Sequence, residues 1–429
     1  MTSIASSNIQ DLLDFIDASP SPWHAVATAS ARLSQAGFVA LNESEAWQLE
    51  TGGRYFVSRG ASSLIAFSIG QHALPSAGIH MVGAHTDSPS LRLKPHAAYS
   101  SDGLIRIGVE VYGGPILATF ADRDLSIAGR VNIRTAQGFE TRLIKFDQPI
   151  LRLANLAIHL NREVNEKGLK FNRQTELPLL FGESVDGLEA DAQFLGRIAN
   201  LLKVEVKEII NFELNVFDTQ KGVIWGANQE FIANSQLDNL ASCHAAITAL
   251  LANQKPHKTS LCALFDHEEV GSESATGASG SFLSDVISRI TLHLNQEEKL
   301  RTLANSFFIS ADMAHAFHPN HAASYEPCHH VHINQGPVIK TNANQRYASS
   351  ADSAARFIRL CEQAGVPYQQ YSHRADLGCG STIGPLVASR LGVATVDVGS
   401  PMWAMHSIRE SAGVLDHAYM IKVLSSYYS

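Results

Sequence analysis

No two cysteines in this chain have C-x-x-C spacing. The five, at 243, 262, 328, 361 and 379, are odd in number and scattered. This argues against a thiolate zinc finger and a disulfide framework. It leaves thiols that pack as small hydrophobes. No run of about 18 apolar residues occurs, so no transmembrane helix is expected. The opening stretch, Met1 to Pro22, lacks a basic segment, and Asp11, Asp14 and Asp17 interrupt its apolar residues. A secretory signal is not expected there, and the chain reads as cytoplasmic. Basic charge is also in short supply, with 33 Lys and Arg against 41 Asp and Glu, for a net charge of −8. Nucleic acid and anionic membranes select a basic face, so neither is an expected partner. The sequence has no internal repeat and no low-complexity tract.

What is present is ordinary globular composition, 45% hydrophobic and 17% charged over 429 residues. Domains hold roughly 100–200 residues, so two or more units are expected. Apolar spacing predicts helices over about 8–16 and 22–34, the second after a Ser21-Pro22 start. Hairpin strands are predicted at 55–57 and 64–67 around Gly60, and a further short apolar run at 79–83. From about Lys94 to Asn228 the chain shows strand-like alternation with one main helix, predicted over Val185–Leu202. After that, apolar runs at 261–265, 306–310 and 393–398 alternate with helices at 238–251, 281–294 and 350–364. Strands alternating with helices imply an α/β fold around a largely parallel sheet. The expected domains are 1–93 and 231–429, forming one α/β body, with 94–230 inserted as a β-rich domain.

Acids and histidines follow the apolar runs. His85 and Asp87 follow 79–83. Glu268 and Glu269 follow 261–265. Asp312 and His315 follow 306–310, and His406 follows 393–398. Asp238 opens a helix. In open α/β sheets, sites form beyond the carboxyl ends of the strands. Two His and three carboxylates suit zinc, with manganese or cobalt as alternatives. A bridging carboxylate can hold two ions about 3.5–4 Å apart. Asp238 is the expected bridge, with His85 and Asp312 on one ion and Glu269 and His406 on the other. Glu268 would then serve as general base, and Asp87 would orient the His85 ring.

Each motif alone has a plain explanation. His-Thr-Asp is common in loops, Glu268-Glu269 could be a solvated acidic pair, and Asp238 makes a good helix cap. His406 could be a hydrogen-bonded core histidine. Spacing alone therefore points only to a metallohydrolase.

Longer blocks go further. They are Ser21-Pro-Trp-His-Ala-Val26, Gly83-Ala-His-Thr-Asp-Ser-Pro-Ser-Leu-Arg-Leu-Lys-Pro95, Asn234-Ser-Gln-Leu-Asp-Asn239, Asp266-His-Glu-Glu-Val-Gly-Ser272, Asp312-Met-Ala-His-Ala-Phe-His-Pro-Asn320 and Met405-His-Ser-Ile-Arg-Glu410. Through them the chain resembles the aspartyl aminopeptidase family of metallopeptidases along nearly its whole length. The resemblance implies a zinc-peptidase α/β/α sandwich interrupted by a β-rich dimerisation and lid domain. It implies two zinc ions per subunit and removal of N-terminal residues, with many members preferring Asp or Glu. It also implies dimers assembled into a tetrahedral dodecamer. Carried over by position, the zinc ligands fall on His85, Asp238, Glu269, Asp312 and His406. The catalytic glutamate falls on Glu268 and the orienting aspartate on Asp87. Substrate contacts fall on His315, Lys340 and Tyr347, and on His159 reaching a neighbouring subunit. A motif reading could instead make His159 a metal ligand. Lys340 could be a surface lysine and Tyr347 a packing aromatic. His318 and His321 are expected to be loop histidines, and His329-His330-Val-His332 is a weaker metal candidate by composition.

Two other readings share the pattern. A broad aminopeptidase or N-acyl amino acid deacylase would keep most of the ligands. A non-enzymatic assembly protein on this fold would be expected to lose Glu268 or a ligand, and this chain keeps both.

Overall fold

A computed structural model describes residues 3–429, with side chains from residue 8 onward. Its contacts divide the chain into two units. One comprises the residues up to Asp87, Gly222–Met405 and Glu410–Ser429; the other comprises Ser88–Lys221 and His406–Arg409.

The larger unit is built on a nine-stranded sheet. Its strand order is Val39–Leu41, Arg54–Arg59, Ser63–Ser68, Thr259–Phe265, Ile79–His85, Phe307–Ala311, Ala394–Gly399, Val338–Thr341 and Gln369–Ser372. The four central strands, from Thr259–Phe265 to Ala394–Gly399, pair in parallel. Arg54–Arg59 and Ser63–Ser68 form the predicted antiparallel hairpin, which needs only the short turn at Gly60. Ser63–Ser68 and Val338–Thr341 then pair antiparallel with the parallel centre.

Strand side chains alternate between faces, and both faces are covered. Val82, Ala84, Cys262 and Leu264 join one core with helices Pro22–Gln35, Leu237–Ala252, Ala351–Ala364 and Val414–Tyr428. Met81, Leu261, Ala263 and Phe265 join the opposite core with helices Phe282–Ile290 and Ile383–Leu391. The result is an α/β/α sandwich. A five-stranded sheet, Val223–Trp225, Phe231–Asn234, Glu410–Gly413, Pro401–Trp403 and Ala314–His315, completes this unit.

The smaller unit is a six-stranded antiparallel sheet. One helix, Ala190–Leu202, buries Ala190, Phe194 and Ile198 in its core. That helix starts five residues later than predicted from Val185. Gly187 holds φ at 78° and Glu189 is extended, so the helix can begin only after them. Among the described residues, no helix is long and apolar enough to cross a membrane.

Candidate metal centre

The central strands run in one direction, so their carboxyl ends share an edge. His85 closes Ile79–His85 and lies opposite Phe265 in the parallel register. Asp312 follows Phe307–Ala311 directly. After Phe265 the chain turns at His267, where φ is 62°, and Glu268 and Glu269 open a single 3-10 turn. Asp238 begins Leu237–Ala252 with non-helical torsions, φ −84° and ψ 104°, so it stands out of the helix start. It is joined to Asn239 by a cis peptide bond.

These residues converge. His85 Nε2 lies 3.6 Å from Asp238 Oδ1, 3.7 Å from Asp312 Oδ1 and 4.0 Å from Glu268 Oε2. Candidate ligand atoms of His85, Asp238 and Asp312 fall within 4.8 Å of one another, as do those of His85, Glu268 and Glu269. His85, Asp87, Asp238 and Asp312 are all buried. Burying so many carboxylates around one imidazole is costly without compensating positive charge. Burial raises the Glu268 carboxyl to about 8 against the pull of His85, and Asp312, Asp87 and Asp238 add to the rise. Burial also lifts Glu269 well above the carboxylate range, with Asp238 adding. For His85, burial favours the neutral ring, but its hydrogen bonds to Asp312 and Asp87 and the charge of Glu268 raise it well above the ordinary histidine value. The cluster therefore stabilises positive charge, whether supplied as protons or as cations. Its imidazole and carboxylate donors fit zinc.

The supports are specific. His85 Nδ1 faces the Asp87 main-chain oxygen at 3.0 Å and its carboxylate at 3.5 Å. That directs Nε2 toward the acids. The Asp87 carboxylate also accepts the backbone N–H groups of Glu268 and Glu269, each at 3.1 Å. Cys243 Sγ donates to the His85 carbonyl at 2.9 Å, holding the strand end. Two supports were not anticipated from the sequence. Glu410 Oε2 accepts the backbone N–H of Asp238 at 3.0 Å. Lys340 is buried rather than a surface lysine. Its Nζ donates to the Met313 carbonyl at 3.0 Å and lies 3.5 Å from Asp312 Oδ2. Burial opposes ionisation of Asp312, yet Lys340 and the hydrogen bonds of His85 and Asp238 hold it below the usual range.

Tyr347 is buried, with its ring 5.2 Å from Lys340 Nζ. His315 ends the short strand Ala314–His315, beside Tyr371 and His373. His318 and His321 sit in the segment Pro319–Ser324 and its cap with rings 4.8 Å apart, and His329 pairs with Glu326. Among the described residues, none of these loop histidines joins a group of three potential ligands.

In the smaller unit, His159 is exposed in a turn. His406 belongs to the same unit. Its φ is 69°, and its Nδ1 hydrogen-bonds the Gly114 carbonyl at 3.1 Å. A bond of that kind orients the ring and presents Nε2.

The sequence pattern of the aminopeptidase I zinc metalloprotease (M18) family matches residues 15–428. The chain is 47% identical over 420 residues to "Probable M18 family aminopeptidase 2" of Pseudomonas syringae pv. syringae, covering 97% of each chain. It is 48% identical over 426 residues to the protein of the same name from Stutzerimonas stutzeri, covering 98% of this chain and 97% of that one. A chain of the solved Ape4 and Nbr1 complex superposes with a TM-score of 0.96 at 38% identity, covering 100% of this chain and 86% of that chain. The S. cerevisiae mApe1 dodecamer gives a TM-score of 0.86 at 28% identity, covering 99% of this chain and 96% of that chain.

Proposed function

The chain belongs to the M18 family of zinc aminopeptidases, and from that premise we propose how its residues divide the work of removing N-terminal amino acids from peptides. Two zinc ions per subunit would be held by His85, Asp312, Glu269 and His406, with Asp238 serving both. Manganese or cobalt can substitute. The observation that carries this reading is the buried convergence of His85, Asp238 and Asp312 within 4.8 Å.

Bound zinc supplies Lewis acidity toward the scissile carbonyl and makes water a nucleophile near neutral pH. The rest falls to side chains. Glu268 takes a proton from the attacking water and passes it to the leaving amine as the C–N bond breaks. Asp87 fixes the His85 ring and the backbone under both glutamates. Asp or Glu is the preferred first residue. Lys340 carries three donors; Met313 and Asp312 face two of them, and the third is left for the substrate carboxylate. Tyr347 and His315 line the same pocket.

His159 reaches the site of a neighbouring subunit. The inserted unit supports dimers and closes the substrate chamber of a tetrahedral dodecamer. The dodecamer solved for S. cerevisiae mApe1 supports that assembly. The enzyme works in the cytoplasm.

The test is hydrolysis of aminoacyl p-nitroanilides with and without chelator. Asp and Glu substrates should be cleaved fastest, and activity should vanish on chelation and return with zinc. A flat profile would defeat the acidic preference, and activity in demonstrably zinc-free protein would defeat the metal assignment.

A further inference from the structure

We propose that Asp397 is a positioning residue for the pocket that receives the first side chain of the substrate, tying the loop of Tyr347 to the loop of Cys379. The inference rests on the assignment of Tyr347 and Lys340 to substrate contact.

Asp397 is an acid inside the apolar strand Ala394–Gly399 and is fully buried. Its carboxylate divides between two loops. Oδ2 accepts the backbone N–H of Ala348, the residue after Tyr347, at 2.6 Å. Oδ1 accepts the hydroxyl of Thr382 at 2.6 Å. Thr382 in turn caps the helix Ile383–Leu391, accepting from the Gly384 N–H at 3.2 Å. A Cβ at Gly384 would lie 2.3 Å from Asp397 Oδ2, so this position admits the carboxylate only as glycine. The backbone N–H of Asp397 donates to Ser349 Oγ at 2.9 Å. Ser381 Oγ donates to the Arg346 carbonyl at 3.0 Å, closing the same pair of loops from the other side.

The pocket wall is what these loops carry. Cys379 packs against the cluster that contains Tyr347, and the Tyr347 ring lies beneath Lys340. A buried carboxylate could have found both partners on one loop. Drawing one from each makes the distance between the loops, and so the place of Tyr347 under Lys340, depend on this carboxylate together with the Ser381–Arg346 bond. Asp397 is also opposite the Lys340 strand, where Val338 and Ile339 pair with Gly399 and Val398. Burial pushes its carboxyl above the ordinary range, and the charge of Lys340 opposes the rise.

The experiment compares kcat and KM on Glu- and Ala-p-nitroanilide for wild type, Asp397→Asn, Tyr347→Leu and the double variant, with zinc content measured on each. Asp397→Asn should lower the Glu-to-Ala ratio of kcat/KM by ~5–10-fold, mainly through KM for the Glu substrate. Zinc content should match wild type. The double variant should lose no more than the worse single variant, because the two act through one element. A wild-type ratio in Asp397→Asn beside an altered ratio in Tyr347→Leu would overturn the role of Asp397 alone. Parallel loss of kcat on both substrates at constant KM would do the same. An unaltered ratio in Tyr347→Leu would remove the pocket assignment, and this proposal with it. If Asp397→Asn does not fold, Thr382→Val removes one of the two ties and carries the same expectations.

Discussion

The backbone N–H of Glu268 donates to Asp87 Oδ1 at 3.1 Å, across 181 residues of sequence. Glu269 donates to the other oxygen of the same carboxylate at the same distance. One side chain therefore fixes the main chain beneath both glutamates while it faces the ring of His85.

Asp87→Asn keeps one acceptor oxygen but replaces the other with a donor, which repels one of those N–H groups. Losses of ~10–100-fold in zinc affinity or turnover are expected from removing such a support. Zinc titration combined with steady-state kinetics checks this. A variant with wild-type affinity and wild-type kcat would show that Asp87 orients nothing essential.

Glu268→Gln and His85→Ala should separate two roles. Glu268→Gln removes the base while preserving size, so kcat should drop by ~10²–10⁴-fold with zinc still bound. His85→Ala removes a donor, so the zinc-to-protein ratio should fall. Elemental analysis beside activity distinguishes them; full turnover by Glu268→Gln, or undiminished zinc in His85→Ala, would undo the respective role.

Exposed Asp11 leads into a pair of buried histidines. Asp11 Oδ2 meets His244 Nε2 at 2.8 Å, and His244 Nδ1 meets His417 Nε2 at 2.9 Å. Burial lowers His244 below the ordinary histidine value, although Asp11 opposes it. Burial lowers His417 further, and His244 adds to that. Both rings bind a proton more readily in the unfolded chain. Their stabilising contribution is complete above about pH 6.5 and is lost as pH falls below that value, by about 1.4 kcal/mol per pH unit for each proton. Asp11 is lowered chiefly by its hydrogen bond to His244, so its own contribution is lost only at much lower pH. Between about pH 7 and pH 5 the two rings should lower the melting temperature, against the raised carboxyls of Glu268 and Asp416, which act in the opposite sense; His417→Gln should therefore lose less, or gain more, than wild type over that range. An equal slope in the variant would place the titration elsewhere.

Gly83 lies two residues before His85, and a Cβ there would sit 2.2 Å from Phe308 Cζ. Phe308 is fully buried and cannot give way easily. Gly83→Ala should cost ~1–3 kcal/mol through overpacking. Denaturant unfolding measures the loss, and zinc affinity should weaken with it if the strand end shifts. Unchanged stability would mean that the ring relaxes freely.

The sequence made the strand ends legible for a physical reason. Ile79–Gly83 and Ser306–Ser310 are largely buried on both faces, so they read as short, mostly apolar runs, and the acids and imidazoles just beyond them stand out. The long blocks around those residues carried the family. Less could be read where partners are remote. The His-Thr-Asp spacing suggested Asp87 beside His85, but gave no hint of its hold on Glu268 and Glu269. Lys340 is singled out only through the family resemblance, and nothing local foretells its contacts with Met313 and Asp312. Asp397 lies inside the run 393–398 that reads as apolar, and nothing in that run points to the two loops it joins. The helix at Ala190 was drawn too early because apolar spacing outvoted Gly187. The hairpin around Gly60 is legible in the sequence, but the antiparallel joins of Ser63–Ser68 and Val338–Thr341 to the parallel centre are not, because alternation of strands and helices does not report strand direction.

The His406–Arg409 segment bears on how the molecule is made. Ile408 belongs to the hydrophobic core of the smaller unit, and its N–H donates to Thr119 Oγ1 at 2.9 Å. Arg409 reaches the carbonyls of Gln220 and Lys221. The ribosome therefore delivers the last piece of that unit only when the chain is nearly finished, long after Ser88–Lys221 has emerged. Until then the insertion waits with an open seam, and cutting it out as a separate gene fragment would leave the same seam permanently open.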